Sequence, residues 1–141
     1  MFVSFLGSAE TLSNLSIPLF LEGVSAGFPS PAQDFIERTL DLNELCIAHP
    51  AATFFVRVEG HSMVGVGIHS GDILVVDRSL NAKHGDIVIA SVDGEYTVKE
   101  LSLNPVGLLA HNPSYSPIWL EGEHSLEVFG VVTNVVRSLK R

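Results

Sequence analysis

The sequence predicts a mainly β fold, a sandwich or partly open barrel with an extended N-terminal arm and one or two short helices. Three observations point there. From residue 52 onward, short runs rich in β-branched and aromatic residues recur, with turn-forming residues between them. Asp93-Gly94 lies between two such runs and is the strongest short hairpin signal a sequence offers. The chain has 141 residues, 46% apolar and 17% charged, which is enough apolar material for one packed domain.

Taken in order, residues 1–30 read as an arm, because they mix apolar residues with Ser, Gly and Pro and sustain no period. Within it, Ile17-Pro18-Leu19-Phe20-Leu21 suits an extended edge segment, where proline is tolerated. The small-residue stretch Val24-Ser25-Ala26-Gly27-Phe28-Pro29 suits being cut. A helix signal follows: Ser30 as N-cap, Pro31 in the first helical position and Asp34 in the first turn, with Phe35, Ile36, Thr39 and Leu40 as its apolar face. The run from Asp41 to Ile47 continues that helix or forms a second short turn, and His49-Pro50 ends it.

Strands are expected over 53–58, 72–77, 85–92, 95–101, 106–111, 118–120 and 126–136, with Gly130 marking a bend or bulge in the last. The domain division that results is an arm over 1–30 and a β domain over 31–141.

Net charge is −8, so the chain repels phosphates, and direct nucleic-acid binding is disfavoured. Arg137, Lys140 and Arg141 form the one basic cluster, and a basic tail is usually solvated. A lone cysteine, Cys46, fits a reducing cytoplasm and reads as a small hydrophobe beside Leu45 and Ile47. Val24-Ser25-Ala26 resembles a signal-peptidase site, but no Lys or Arg precedes Arg38, and Pro18 breaks the apolar run there. No stretch approaches the ~18 apolar residues of a membrane span. A soluble, cytoplasmic protein is expected.

Two residues carry candidate chemistry. Ser62 follows a strand and a glycine in Gly60-His61-Ser62-Met63 and precedes Gly65-Val66-Gly67. Such a turn can present a hydroxyl while leaving the backbone N–H groups of His61 and Ser62 free to hold an oxyanion. Lys99 shares a strand face with Thr97 and Leu101. An ordinary strand lysine faces water and an ordinary turn serine is inert, so spacing alone leaves both readings open. A buried Lys99 would differ. At an unperturbed pKa of ~10.4, about one amine in a few thousand is neutral at pH 7, and burial can lower the value by ~3–5 units. The free amine can then take a proton from a serine hydroxyl.

His61 points away from the Ser62 hydroxyl on an extended chain, which argues against a triad base. His49, His69, His84, His111 and His124 show no metal-ligand spacing, so no metal or cofactor is expected. Asp72, Asp77, Asp86 and Asp93 lie at strand ends and turns, where aspartate commonly bonds locally.

Eight motifs in order give the chain a resemblance. They are Ala26-Gly27-Phe28-Pro29-Ser30-Pro31, Asp41-Leu42-Asn43, Gly60-His61-Ser62-Met63, and Gly71-Asp72-Ile73-Leu74-Val75-Val76-Asp77. His84-Gly85-Asp86-Ile87-Val88-Ile89-Ala90, Val92 through Lys99, Tyr115-Ser116-Pro117-Ile118 and Val128-Phe129-Gly130-Val131-Val132 complete the set. From about Ile17 to Val136 the chain resembles the UmuD-like branch of the LexA-type serine/lysine self-cleaving peptidases, the SOS mutagenesis proteins.

The resemblance implies a LexA/UmuD-like fold, Ser62 as nucleophile, Lys99 as general base and Ala26-Gly27 as the scissile bond. It implies stimulation by the RecA filament on single-stranded DNA. It also implies a homodimer, and a trimmed form that joins an error-prone Y-family (UmuC-like) polymerase in translesion synthesis. The roughly 26 residues before that bond are too few for a repressor's helix-turn-helix module. The alternatives are a structural interaction module that is never cut and a peptidase acting in trans on other proteins.

Overall fold

Alternation of branched apolar residues turns most of the chain after Ala52 into sheet. The computed structural model describes residues 1–8, 16–20, 36–120 and 126–140, with the backbone alone for 16–20 and 36–40. Its strands are Phe2–Ser8 (β1), Ser16–Phe20 (β2), Ile36–Asp41 (β3), Thr53–Glu59 (β4) and Ile73–Asp77 (β5). They continue with Ile87–Val92 (β6), Glu95–Leu103 (β7), Val106–Leu109 (β8), Ile118–Trp119 (β9) and Leu126–Val136 (β10).

Eight of them form one antiparallel sheet in the order β1-β4-β5-β10-β6-β7-β8-β9, curled into a half-barrel. The expected mainly β, partly open architecture of the LexA/UmuD type is borne out. β2 and β3 pair separately, with Ile17 opposite Leu40 and Pro18 opposite Thr39.

The 93–94 turn has positive φ at both residues, 50° at Asp93 and 88° at Gly94. That geometry matches strand twist and sets the β6–β7 register, with Val88 opposite Lys99 and Ala90 opposite Thr97. At Gly130 the β10 register shifts, as expected of a bulge. A Cβ there would stand 2.8 Å from Val76 Cγ1 and 3.0 Å from the Asp77 carbonyl oxygen, so the close approach of β5 requires glycine.

The core is built in two main clusters. Val56, Val58, Met63, Ile68, Leu74, Val76, Ile89 and Val98 form one, and Val88, Ala90, Leu101, Leu108 and Val131 the other. Met63 is fully buried, which pins the residue next to Ser62 into the larger cluster. Burying such a side chain contributes about 1.5–3 kcal/mol.

The expected helix is corrected. Residues 36–41 are strand β3, and the helix is confined to Leu42–Cys46 (α1), capped by the Asp41 carboxylate accepting from the Asn43 N–H at 2.9 Å. Ile36, Thr39 and Leu40 suit a strand as well as a helix face, and pairing with β2 decides between them. The cap signals at Ser30, Pro31 and Asp34 lie outside the described residues. A strand at Phe2–Ser8 was not expected; it adds to β4 with Val3 opposite Val58 and Phe5 opposite Val56. No helix among the described residues is long and apolar enough to cross a membrane.

Candidate active site

The turn that carries Ser62 begins where β4 stops. Gly60 reverses the chain at φ 112°, and its N–H donates to Ser70 Oγ at 3.1 Å. Met63 then buries its side chain, and its carbonyl oxygen accepts from the N–H groups of Val66 and Ile68 at 3.2 and 3.3 Å. Ser62 is held between these anchors with no exposed surface. The His61 side chain is exposed beside it.

Lys99 stands on the face of β7 that also carries Thr97 and Leu101, directly across from the fully buried Val88. Its residue exposure is 5%, so the amine is desolvated and not a surface charge. Lys99 Nζ lies 3.0 Å from Ser62 Oγ. It also lies 2.8 Å from Thr97 Oγ1 and 3.2 Å from the Val98 carbonyl oxygen.

Hydrogen counting gives this arrangement chemical meaning. An ammonium has three donors and no acceptor, and here the Ser62 and Thr97 hydroxyls, the Val98 carbonyl oxygen and the Met1 amino group all lie around it. A neutral amine keeps two donors for these neighbours and has a lone pair that can accept the Ser62 hydroxyl hydrogen. Burial pushes the Lys99 pKa below its usual value, and a hydrogen bond with the Met1 amino group works partly against it. Proton transfer from Ser62 Oγ to Nζ therefore becomes accessible closer to neutral pH.

Among the described residues, neither the His61 N–H nor the Ser62 N–H donates to a protein acceptor. A cavity of about 550 Å³ opens beside the amine, with Lys99, Thr97, Tyr96, Tyr115, Ile118 and Met1 among its walls.

A match to the Peptidase S24-like family covers residues 18–133. This chain belongs to that peptidase family. The S24-like chain is 52% identical over 124 residues to Protein SamA of Salmonella typhimurium, spanning 87% of this chain and 86% of that protein. It is 49% identical over 121 residues to Protein MucA of Escherichia coli, spanning 84% of this chain and 83% of that protein. LexA repressor of Shewanella baltica is 39% identical over 132 residues, 92% of this chain and 63% of the repressor. The LexA-type resemblance read from the motifs is borne out at the level of family.

Of the candidate residues of this S24-like chain, the structure brings Ser62 and Lys99 together and leaves the His61 imidazole outside the pair. Ala26 and Gly27 lie outside the described residues. His49 pairs with the Asp77 carboxylate at 2.7 Å, and His111 with Glu100 at 3.1 Å. Asp72, Asp77 and Asp86 each accept from a nearby backbone N–H, that of His69, Ser79 and Lys83 respectively.

Arg137 is not the solvated tail residue expected. Its Nε and Nη2 each donate to the buried Asp72 carboxylate at 2.6 Å, and Nη2 also donates to the Gly67 carbonyl oxygen at 2.7 Å. That clamp ties the C-terminal segment to the loop after the Ser62 turn. Sequence reasoning placed Thr97 on the Lys99 face without assigning its hydroxyl to the amine. Nothing in the sequence signals that the His111-Asn112 segment contacts the Ser62 turn.

Proposed function

We propose that this chain is a self-cleaving serine peptidase of the SOS response, cut at Ala26-Gly27. Ser62 Oγ attacks the Ala26 carbonyl carbon and gives its proton to the neutral Lys99 amine. The backbone N–H groups of His61 and Ser62 hold the oxyanion. Lys99 then protonates the departing Gly27 amine, and water releases the acyl group from Ser62.

The observation that carries the reading is the 3.0 Å approach of Lys99 Nζ to Ser62 Oγ with both groups out of water. Membership of the S24-like family supports it. The motifs shared with UmuD-like SOS mutagenesis proteins extend it in the cytoplasm. The RecA filament stimulates the cut, and the shortened chain, as a homodimer, serves an error-prone Y-family polymerase. In this reading residues 1–30 are the arm that is processed and 31–141 the β domain that persists.

The test is intact-mass spectrometry of the purified protein, at mildly alkaline pH and again with activated RecA filament. A fragment beginning at Gly27, absent in Ser62→Ala and Lys99→Ala, is the expected result. An intact chain under both conditions would leave a non-cleaving interaction module as the better reading.

A further inference from the structure

We propose that Asn112 is a positioning residue that aims the Ser62 N–H at the oxyanion; the inference rests on the Ser62–Lys99 reading above. His61 C=O and Ser62 N–H belong to one planar peptide unit and point in opposite directions. Whatever fixes that carbonyl also fixes the N–H. The His61 carbonyl oxygen accepts from Asn112 Nδ2 at 2.9 Å, and more distantly from the Val64 N–H at 3.5 Å.

The Asn112 amide is itself held. Its Oδ1 accepts from the Ser114 N–H at 3.0 Å, and its backbone carbonyl oxygen accepts from the Tyr115 N–H at 3.0 Å. With the oxygen engaged by Ser114, the NH₂ group faces His61.

The neighbouring residue secures the next peptide. His111 N–H donates to the Ser62 carbonyl oxygen at 2.8 Å, and the His111 carbonyl oxygen accepts from the Gly65 N–H at 2.8 Å. A Cβ on Gly65 would stand 2.6 Å from that oxygen, so glycine permits the approach. The His111 ring meets Glu100, the residue after Lys99. A two-residue segment therefore grips the peptide units on both sides of Ser62. The grip on the side that carries the oxyanion donor is a side chain, and so can be removed without touching the backbone. Asn112 is only half-buried, so its loss opens no hole in the core.

The experiment compares full-length parent, Asn112→Ala and Asn112→Asp. The aspartate keeps the acceptor for Ser114 but turns a carboxylate oxygen toward the His61 carbonyl. Two rates are measured: self-cleavage, and labelling of Ser62 by a fluorophosphonate, whose phosphoryl oxygen takes the oxyanion position. We expect both rates to fall about 10–100-fold, Asn112→Asp at least as far as Asn112→Ala. The midpoint of the pH–rate profile and the melting temperature stay at parental values.

Parent-like rates in both variants overturn the inference. So does a loss accompanied by a moved pH midpoint, which would put the effect on the amine. A parent that labels at Ser62 without cutting itself sinks the self-cleavage reading, while the ratio of labelling rates still decides the role of Asn112.

Discussion

Thr97 and Lys99 stand two residues apart on one face of β7, and the Thr97 hydroxyl accepts a hydrogen bond from the Lys99 amine at 2.8 Å. Spacing of two along a strand creates this contact. It directs the amine, because a hydrogen committed to Thr97 restricts how the lone pair can turn toward Ser62. Thr97→Val keeps the shape and removes the acceptor. Self-cleavage is expected to slow about 10-fold, a positioning effect, while Thr97→Ser restores most of the rate. First-order cleavage kinetics followed by gel or mass spectrometry check this.

The rate should rise with pH. Lys99 is a base only when neutral, and burial lowers its pKa. Below that value the ammonium dominates and the rate falls about tenfold per pH unit. The profile is therefore a rising curve with its midpoint under the usual lysine value, and it is measured as the cleavage rate across pH 6–11 (a range of about five units around the expected rise).

Stability should move the opposite way from activity when the amine is removed. The folded pKa of Lys99 is lowered, so the unfolded chain binds more protons over the window between the two values, and stability rises with pH there. Below the folded value the penalty for a buried ammonium is present in full; above the usual lysine value it is gone. Lys99→Met fills the same space without the charge. It should abolish cleavage and raise the melting temperature at pH 7 by a few degrees, roughly 3–5 °C per kcal/mol relieved. The gain should shrink as pH approaches 10–11. Calorimetry at several pH values measures it.

The Arg137–Asp72 clamp predicts a different pH dependence. The Arg137 guanidinium holds the Asp72 carboxyl below the usual carboxylate range, with burial opposing. Its contribution is present above the ordinary carboxylate pKa and is lost as pH falls through the lowered folded value. Arg137→Leu strands a buried carboxylate, so the melting temperature should drop at pH 7. The difference from the parent should narrow in acid. Thermal melts at pH 7 and near pH 3 compare the two.

The β-rich half was legible because its signals are local. Val, Ile and Phe in β4 and β5, and the Asp93-Gly94 turn, declare strands and a hairpin without reference to distant residues. Strand alternation put Lys99 on one face with Thr97 and Leu101 but left open whether that face is inward; the 5% exposure in the fold decides it. β1 was not legible. Phe2, Phe5 and Leu6 are 78%, 45% and 49% exposed, so no buried alternation marks the segment. It is held by backbone pairing to β4 and by edge contacts of Phe5 with Tyr96 and Phe129. Residues 36–41 carry a pattern that fits either secondary structure, and a partner strand 20 residues away decides it.

At the site, the Ser62–Lys99 pair came from residue types and family motifs. The contacts that orient it did not. Asn112 reaches His61 across 51 residues and Arg137 reaches Asp72 across 65, distances at which only the folded chain brings side chains together.

The most direct test of the central claim, that a desolvated amine serves Ser62 as base, is a carbon-detected NMR titration of the Lys99 ε-methylene. Ser62→Ala keeps the chain intact during the measurement. A midpoint clearly below the usual lysine value of 10.5 is the predicted result. A Lys99 midpoint at or above that value would contradict the account.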